Sequence, residues 1–190
     1  MKRQLVNGPS GYPVTLQQLK EHVAIAHTDD DALLERLLQA AVSSVELKLW
    51  SKLVTQTWDF YLDSFASPIR LPFPPCQSVV SVKYRDNDGT LQTLASTVYE
   101  AGDDYGVGIV RLAYNQTWPT CRGHYDDVVV RAVVGYGPPE DVPAELKLAI
   151  VQTAANAYEF RETYLEANRI VELPQGVDSF LSLWSFAEVG

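Results

Sequence analysis

Residues 128–150 read VVVRAVVGYGPPEDVPAELKLAI and mark a change from strand to helix. The first part, 128–134, is a run of valine and alanine around one arginine, which is typical of a β-strand. Gly and Pro residues at 135–139 interrupt that pattern. Helix is predicted from Pro143, because Pro is tolerated in the first turn and Leu146 and Ile150 then share one face. A β-rich region therefore ends here, and a helical region follows.

Three helices are predicted around this β-rich region. Thr15-Leu-Gln-Gln18 fits a capping box, so a first helix should begin there and run to about Ala26. A second helix begins at the cluster Thr28-Asp-Asp-Asp31, whose negative charge suits the positive end of a helix dipole, and its apolar stripe continues to about Trp50. The third covers about 143–165.

The region between the second and third helices has the two-residue period of β-strands. The predicted strands cover 54–62, 68–72, 78–85, 90–94, 97–101, 108–113 and 127–134. Asp86-Asn-Asp-Gly89 predicts a hairpin turn, with Asp88 and Gly89 able to take the positive φ angles that such turns need. These elements together predict one compact antiparallel sheet of short strands.

The predicted class is α+β: a helical core of three long helices, an antiparallel β-rich insertion between helices 2 and 3, and a C-terminal docking tail. With 190 residues, the chain is long enough for one well-buried domain. The predicted single domain, 1–190, comprises an N-terminal arm at 1–13, a helical core at 14–50 and 142–166, a β insertion at 52–137 and a C-terminal segment at 167–190.

Composition and charge narrow the classes of function. Fifteen Lys and Arg against 24 Asp and Glu give a net charge of −9, which argues against sequence-nonspecific DNA binding, since that requires clustered basic residues. The basic first residues are not followed by the apolar core of a secretion signal. No apolar run reaches the ~18 residues that indicate a membrane span, so no membrane partner is expected.

No pattern of catalytic or metal-binding residues accompanies this architecture. His22 and His27 are five residues apart, which does not place them on one helical face as metal ligands. Cys76 and Cys121 lie far apart, match no ligand spacing and are expected to be reduced. Ser and Cys candidates lack a nucleophile elbow or a recognisable His partner. We therefore predict no enzyme activity, no cofactor and no metal.

Several short motifs, in this order, resemble those of bacteriophage head–tail connector (adaptor) proteins. The resemblance covers nearly the whole chain and is carried by VTLQQLK at 14–20, DDDALL at 29–34, TQTWD at 55–59, IRLP at 69–72, PCQSVVSV at 75–82, YRDNDG at 84–89, WP at 118–119, VVGYG at 133–137, VPAELKLAI at 142–150 and LPQGV at 173–177. Each motif alone is weak, and their order and spacing make the match specific.

The resemblance implies a structural protein of the virion neck, made in the cytoplasm of the bacterial host. Such a subunit forms a ring, usually of 12 copies, on the portal protein at a capsid vertex. Its other face meets a tail-completion, neck or tail protein, and double-stranded DNA passes through the channel without specific binding. The net charge of −9 is compatible with that role, because a conduit for DNA should bind phosphate weakly.

The apolar C-terminal segment is the predicted portal-docking element, since such adaptors commonly reach into the portal with their last residues. A polar linker and LPQG at 173–176 separate it from the third helix. The alternative is a short last helix packed on the protein's own core. The candidate docking residues are Val177, Phe180, Leu181, Leu183, Trp184 and Phe186.

The acidic group Asp29, Asp30 and Asp31 is a candidate for a subunit interface or for the lining of the DNA channel. Its alternative role is to cap the second helix at its N-terminus.

A carbohydrate-binding module of a phage tail is the second hypothesis about function. It would use the aromatic residues of the β insertion, although the packing of a small sheet explains most of them equally well. These residues are Trp58, Phe60, Tyr61, Tyr99, Tyr105, Tyr114, Trp118 and Tyr125.

Overall fold

The chain forms two compact units. The computed structural model describes residues 1–160, 174–182 and 184. A β unit comprises Met1–Pro9 and Thr55–Tyr136, and a helical unit comprises Ser10–Val54 and Gly137–Gly190. The limits of the long β segment lie within three residues of those predicted for the insertion. The N-terminal residues, predicted as an arm, are divided between the two units.

Four α-helices and one short 3-10 helix build the described part of the helical unit. They are α1 (Leu16–His22), α2 (Asp31–Leu49), the 3-10 helix (Pro139–Asp141), α3 (Ala144–Glu159) and α4 (Gln175–Ser182). The packing of α2 on α3 is the most extensive helix contact. Buried small residues of α3, Ala149, Ala154 and Ala157, allow this close approach. Leu34, on α2, is completely buried in the same unit.

The predicted capping box at the start of α1 is confirmed. The backbone N–H of Gln18 donates to the hydroxyl of Thr15, and the N–H of Thr15 donates to the Gln18 side chain at 2.8 Å. The helix ends at His22 and not at Ala26, because Ala24 takes a left-handed conformation with φ of 56°. The Lys20 ammonium then binds the carbonyl of His27 at 2.6 Å, which fixes the turn into α2.

The prediction of three long helices is wrong in its detail, although the α+β class is confirmed. Two helices are long, α2 with 19 residues and α3 with 16, whereas α1 has only seven. The sequence pattern overestimated α1 because it continues to Ala26 while the backbone turns at Ala24. The predicted end of the third helix, near residue 165, lies outside the described residues.

The β unit contains eight strands in two antiparallel sheets. They are β1 (Lys2–Asn7), β2 (Gln56–Leu62), β3 (Ile69–Arg70), β4 (Cys76–Arg85), β5 (Leu91–Thr93), β6 (Tyr99–Asp104), β7 (Val107–Leu112) and β8 (Val128–Val134). A five-stranded sheet has the order β1-β2-β8-β4-β5, and a three-stranded sheet has the order β3-β7-β6. The predicted single sheet is therefore corrected to two.

The core of the β unit lies between these two sheets. Phe60 and Val130, from the five-stranded sheet, and Ile69 and Val110, from the smaller one, are completely buried there. An antiparallel sheet with one apolar face needs a second layer to cover that face, which explains why the strands separate into two sheets. Gly108 permits the close approach, since a Cβ at this position would lie 2.6 Å from the sulfur of Cys76.

Strand β1 lies in the segment predicted as an N-terminal arm, and the sequence did not predict it. It pairs antiparallel with β2, with Lys2 opposite Tyr61, and a bulge follows Leu5. All six of its residues are exposed, so its sequence shows no alternation between apolar and polar positions. The predicted hairpin turn between β4 and β5 is present. Of the two residues expected at positive φ, only Gly89 has it, at 81°, and Asp88 does not.

Candidate interaction surfaces

Helix α4, in the predicted docking segment, packs on α2 and α3 of its own unit. Val177 is 5% exposed and Leu181 is completely buried. An ion pair of 2.8 Å between Lys48 of α2 and Asp178 of α4 adds to this contact. Val177 and Leu181 thus fill the core of the helical unit, as in the alternative considered for this segment. A docking role for these two side chains would require α4 to detach first.

Phe180 and Trp184 are the docking candidates that remain accessible within the described residues. Both are half-buried, and their ring centroids lie 6.5 Å apart. Leu183 and Phe186 lie outside the described residues. The candidate docking residues that are accessible without rearrangement are therefore an aromatic pair at the end of α4.

Two of the three predicted acidic residues hold the helices together. Asp31 binds the ammonium of Lys20 at 2.6 Å, and Lys20 is only 7% exposed. Asp30 accepts a hydrogen bond of 2.6 Å from the hydroxyl of Tyr158 on α3. Asp30 also occupies the N-cap position of α2, although its side chain makes no capping hydrogen bond.

Asp29 is the member of the acidic group that projects into solvent. Its side chain is 89% exposed and lies 3.7 Å from the ring of His27. The three acidic residues therefore do not act as one surface. Asp30 and Asp31 bind within the helical unit, whereas Asp29 is exposed beside His27.

A face of the five-stranded sheet, opposite the core, carries charged side chains from four strands. Register places Asp59 of β2 directly opposite Arg131 of β8, and Ser81 of β4 is the next neighbour. Arg131 donates two hydrogen bonds to Asp59, of 2.7 and 2.8 Å, and this bond raises the pKa of the guanidinium. Such bidentate pairs hold both partners in a defined geometry.

The loop 121–127 forms a wall of this charged face. The side chain of Asp127 is fully buried; burial alone would raise its pKa, but hydrogen bonds from the His124 N–H and from Arg122, both 2.7 Å, lower it overall. Next to it, Asp126 binds Lys2 of β1 at 2.7 Å, which raises the pKa of that lysine. The bonds of Asp127 therefore hold the loop in its own conformation, and the Lys2–Asp126 pair attaches the loop to β1.

The strands β1, β2, β4, β5 and β8 and the loop 121–127 line an open concavity of about 400 Å³. We call it the charged face; it is lined by Lys2, Asp59, Tyr61, Ser81, Lys83, Arg85, Leu91, Arg122, Tyr125, Asp126, Val129 and Arg131. Five of these residues are basic and two are acidic. In a chain with a net charge of −9, this is a local concentration of positive charge.

Sequence reasoning missed the charged face because strand pairing assembles it from distant positions. Alternation within each strand was the available signal: Lys83 and Arg85 lie two apart on β4, as Asp59 and Tyr61 do on β2. Only the order of the strands brings these pairs side by side. Lys2 could not be found in this way, since β1 was not predicted.

The aromatic residues of the β unit divide into packed and exposed groups. Phe60 is fully buried, Trp58 contacts Phe73 at 5.1 Å, and Trp118 stacks on Phe65 at 4.7 Å with nearly parallel rings. Three tyrosines in loops are more than 80% exposed: Tyr105, Tyr114 and Tyr125. Four of the eight residues considered for sugar binding therefore pack in the core of the β unit: Trp58, Phe60, Tyr99 and Trp118.

The described residues contain no cluster of potential metal ligands. No three His, Cys, Asp or Glu side chains are grouped as ligands there. Cys76 and Cys121 are half-buried free thiols, and burial raises the pKa of each, which makes both less nucleophilic. No helix in the described part of the chain has the length and apolar character needed to cross a membrane.

A known protein family matches a segment in the N-terminal half of the chain. The family model described as "Phage gp6-like head-tail connector protein" matches residues 13–101, which is just under half of the sequence and runs from before α1 into β6. The resemblance to the phage head–tail connector family is confirmed. No curated protein matches the sequence.

Solved structures extend the similarity to the whole chain. Three similar chains come from structures described as the virion of a native gene transfer agent (GTA) particle, the neck of an empty GTA particle computed with C6 symmetry, and the neck of a native GTA particle computed with C12 symmetry. Their TM-scores are 0.80, 0.79 and 0.77, each at 20% identity. Each alignment covers 100% of this chain and 98% of the other, so the whole fold is shared.

Proposed function

We propose that this chain is a head–tail connector subunit that forms a ring on the portal vertex of a phage or phage-like particle. The observation that carries the proposal is the agreement of the connector-family match over residues 13–101 with a fold shared over the full length with chains of particle necks. The symmetry named for two of those necks, C6 and C12, supports a ring of 12 copies. Its place is the virion neck.

In this role the protein binds and does not catalyse. One face of the ring meets the portal protein, and the other meets a tail-completion, neck or tail protein. Double-stranded DNA passes through the channel, and the net charge of −9 keeps a conduit of this kind from retaining phosphate. A closed ring needs heterologous contacts, in which one patch of a subunit meets a different patch of its neighbour.

The portal-binding element in this proposal is the C-terminal segment, with Phe180 and Trp184 as the first contacts. Aromatic side chains that are half-buried in the free subunit gain contact area at low entropic cost when a partner covers them. Val177 and Leu181 hold α4 in place through their burial, and they join the interface only if α4 leaves α2 and α3.

Light scattering after size-exclusion chromatography, with and without the portal protein of the same particle, tests the proposed function. We expect this chain to join the portal as a ring, even if it is a monomer by itself. A chain that remains monomeric beside the portal, or that binds glycans as a monomer, would overturn the proposal and favour the carbohydrate-binding alternative.

A matched set of variants tests the docking element. Phe180→Ser combined with Trp184→Ser should abolish portal binding while the thermal unfolding midpoint stays near that of the wild type. Leu148→Ser is the control, because this α3 side chain is also apolar and 51% exposed but lies outside the docking segment. Equal portal binding by the double variant and the control would remove the docking role of the aromatic pair.

A further inference from the structure

Two strands at the margins of the β unit have one unpaired edge each within the described residues. β1 pairs only with β2 and ends the five-stranded sheet, and β6 pairs only with β7 and ends the three-stranded sheet. All of β1 and the central four residues of β6 are exposed. Free edges of this kind present unpaired backbone N–H and C=O groups that accept another strand.

The two edges lie on opposite flanks of the β unit. Arg3 of β1 lies 5.0 Å from the ring of Phe73, which follows β3 and also contacts Trp58 of β2. On the other flank, β6 packs over β4. An edge on each side is the arrangement that head-to-tail assembly needs, because the β1 edge of one copy then faces the β6 edge of the next.

The charge and length of the strands distinguish a β1–β6 contact between copies from contacts through other strand edges. β1 and β6 have six residues each, whereas β5, the other edge of the five-stranded sheet, has three. β1 begins with Lys2-Arg3 and β6 ends with Asp103-Asp104. Full antiparallel overlap places Lys2 opposite Asp104 and Arg3 opposite Asp103, two pairs of opposite charge.

The same comparison disfavours pairing of β6 with itself. Antiparallel overlap of two β6 strands places Glu100 opposite Asp103, so like charges meet twice across the contact. Parallel overlap of β1 with β6 places Lys2 opposite the uncharged Tyr99 and forms one pair of opposite charge, Arg3 with Glu100, instead of two. The antiparallel contact between different edges thus forms the larger number of opposite-charge pairs.

We propose that neighbouring copies of this chain join by antiparallel pairing of β1 (Lys2–Asn7) of one copy with β6 (Tyr99–Asp104) of the next. The inference rests on the proposed ring and specifies its subunit interface. The pairing places Leu5 opposite Ala101, with their Cβ atoms about 5 Å apart, as in other antiparallel pairs. It also converts two exposed edges into backbone hydrogen bonds that are repeated at every contact of the ring.

Cysteine cross-linking of the full chain on its portal tests the pairing. The double variant Leu5→Cys with Ala101→Cys should give a ladder of covalent oligomers up to the ring size after mild oxidation or addition of a short bismaleimide. Each single variant should give none, because in a heterologous contact residue 5 does not meet residue 5 of the neighbour. The wild type controls for its half-buried thiols, Cys76 and Cys121.

Leu5→Cys with Leu91→Cys is the matched control, since Leu91 is exposed on the competing edge β5. A ladder with this pair and none with the 5–101 pair would overturn the proposal in favour of β1–β5 pairing. Native mass spectrometry of the same samples shows whether a ring forms, and so distinguishes a wrong interface from a wrong proposed function. A ring without the 5–101 ladder contradicts only this inference, whereas the absence of any ring contradicts the proposed function.

Charge exchange gives a second measurement that does not depend on cysteine chemistry. Lys2→Glu alone and Asp104→Lys alone should each raise the concentration needed for half-maximal ring formation by about tenfold, because a repulsive pair replaces an attractive one at every contact. The combined variant should return to within about threefold of the wild type. Additive losses in the combined variant would show that the two side chains do not meet.

Discussion

The β unit and the helical unit stabilise their margins in different ways. In the β unit, the loop 121–127 is held in its conformation by the buried carboxylate of Asp127, and the Lys2–Asp126 ion pair attaches it to β1. In the helical unit, α4 is attached through Val177, Leu181 and one exposed ion pair to Lys48. Few buried contacts mean a low free energy of local opening. The element proposed to dock is thus held mainly by two buried apolar side chains, whereas the loop of the β unit is held by ionic contacts.

Among the substitutions considered, one in the core of the β unit should reduce the free energy of unfolding most. Phe60→Ala removes a fully buried ring between the two sheets, and we expect a loss of about 4 kcal/mol in the free energy of unfolding. Urea unfolding followed by tryptophan fluorescence measures it. Tyr125→Ala is the control, since this ring is 85% exposed and should change stability by less than about 0.5 kcal/mol. Similar midpoints for the two variants would show that the sheets do not pack through Phe60.

The second largest loss of stability should come from substitution of Asp127, the buried carboxylate of the loop 121–127. Asp127→Asn leaves the guanidinium of Arg122 without its charged partner and weakens the bond from the His124 N–H. We expect a loss of about 2–3 kcal/mol at pH 7, because the carboxylate is fully buried. Denaturant titration gives the value. Asp126→Asn, which breaks only the more exposed pair with Lys2, should have a clearly smaller effect, because solvent screens that pair.

The same variant predicts a pH dependence of known sign. The pKa of Asp127 is lower in the folded chain than its ordinary value near 3.9. Its contribution to stability is therefore complete above pH ~3.9 and is lost as the pH falls through the lowered pKa of the folded state. The stability difference between wild type and Asp127→Asn should shrink with acidification over that window. A difference that stays constant below pH 3.9 would contradict the assignment.

The elements that could be predicted from the sequence are those with a local signal. The period of apolar residues in α2 and α3 comes from side chains within one element, as does the alternation along β8. The second sheet and strand β1 had no such signal. β1 is exposed on both faces and therefore carries no alternation, and the division into two sheets depends on which strands meet.

The candidate surfaces also differ in whether a local sequence signal indicates them. The C-terminal segment could be proposed as a candidate because its apolar residues are adjacent in sequence. Their local order does not show that Leu181 is buried against α2 and α3 while Phe180 remains half-buried. The charged face could not be found, because Lys2, Asp59 and Arg131 become neighbours only through strand register. Long-range pairing decides both outcomes, and no short segment encodes it.

A smaller effect should follow from loosening α4. Leu181→Ala removes a fully buried side chain, and we expect a cost of about 1–2 kcal/mol, below that of a central core position, because the helix can open locally. Hydrogen exchange measured by mass spectrometry should show at least tenfold faster exchange within Gln175–Ser182 and no change in β8. Leu148→Ala, at an exposed position of α3, is the control. Equal acceleration in β8 would show that α4 opens only with the whole molecule.

The smallest effect should separate the members of the acidic group. Asp31→Asn weakens the bond to the largely buried Lys20, and we expect a loss of about 1 kcal/mol in thermal or urea unfolding. Asp29→Asn should change stability by less than about 0.5 kcal/mol, because its side chain is 89% exposed. If Asp29→Asn nevertheless weakens ring formation on the portal, then Asp29 acts between molecules while Asp31 acts within one. Equal effects of the two variants on stability and on assembly would contradict this division, because their partners in the folded chain differ so strongly.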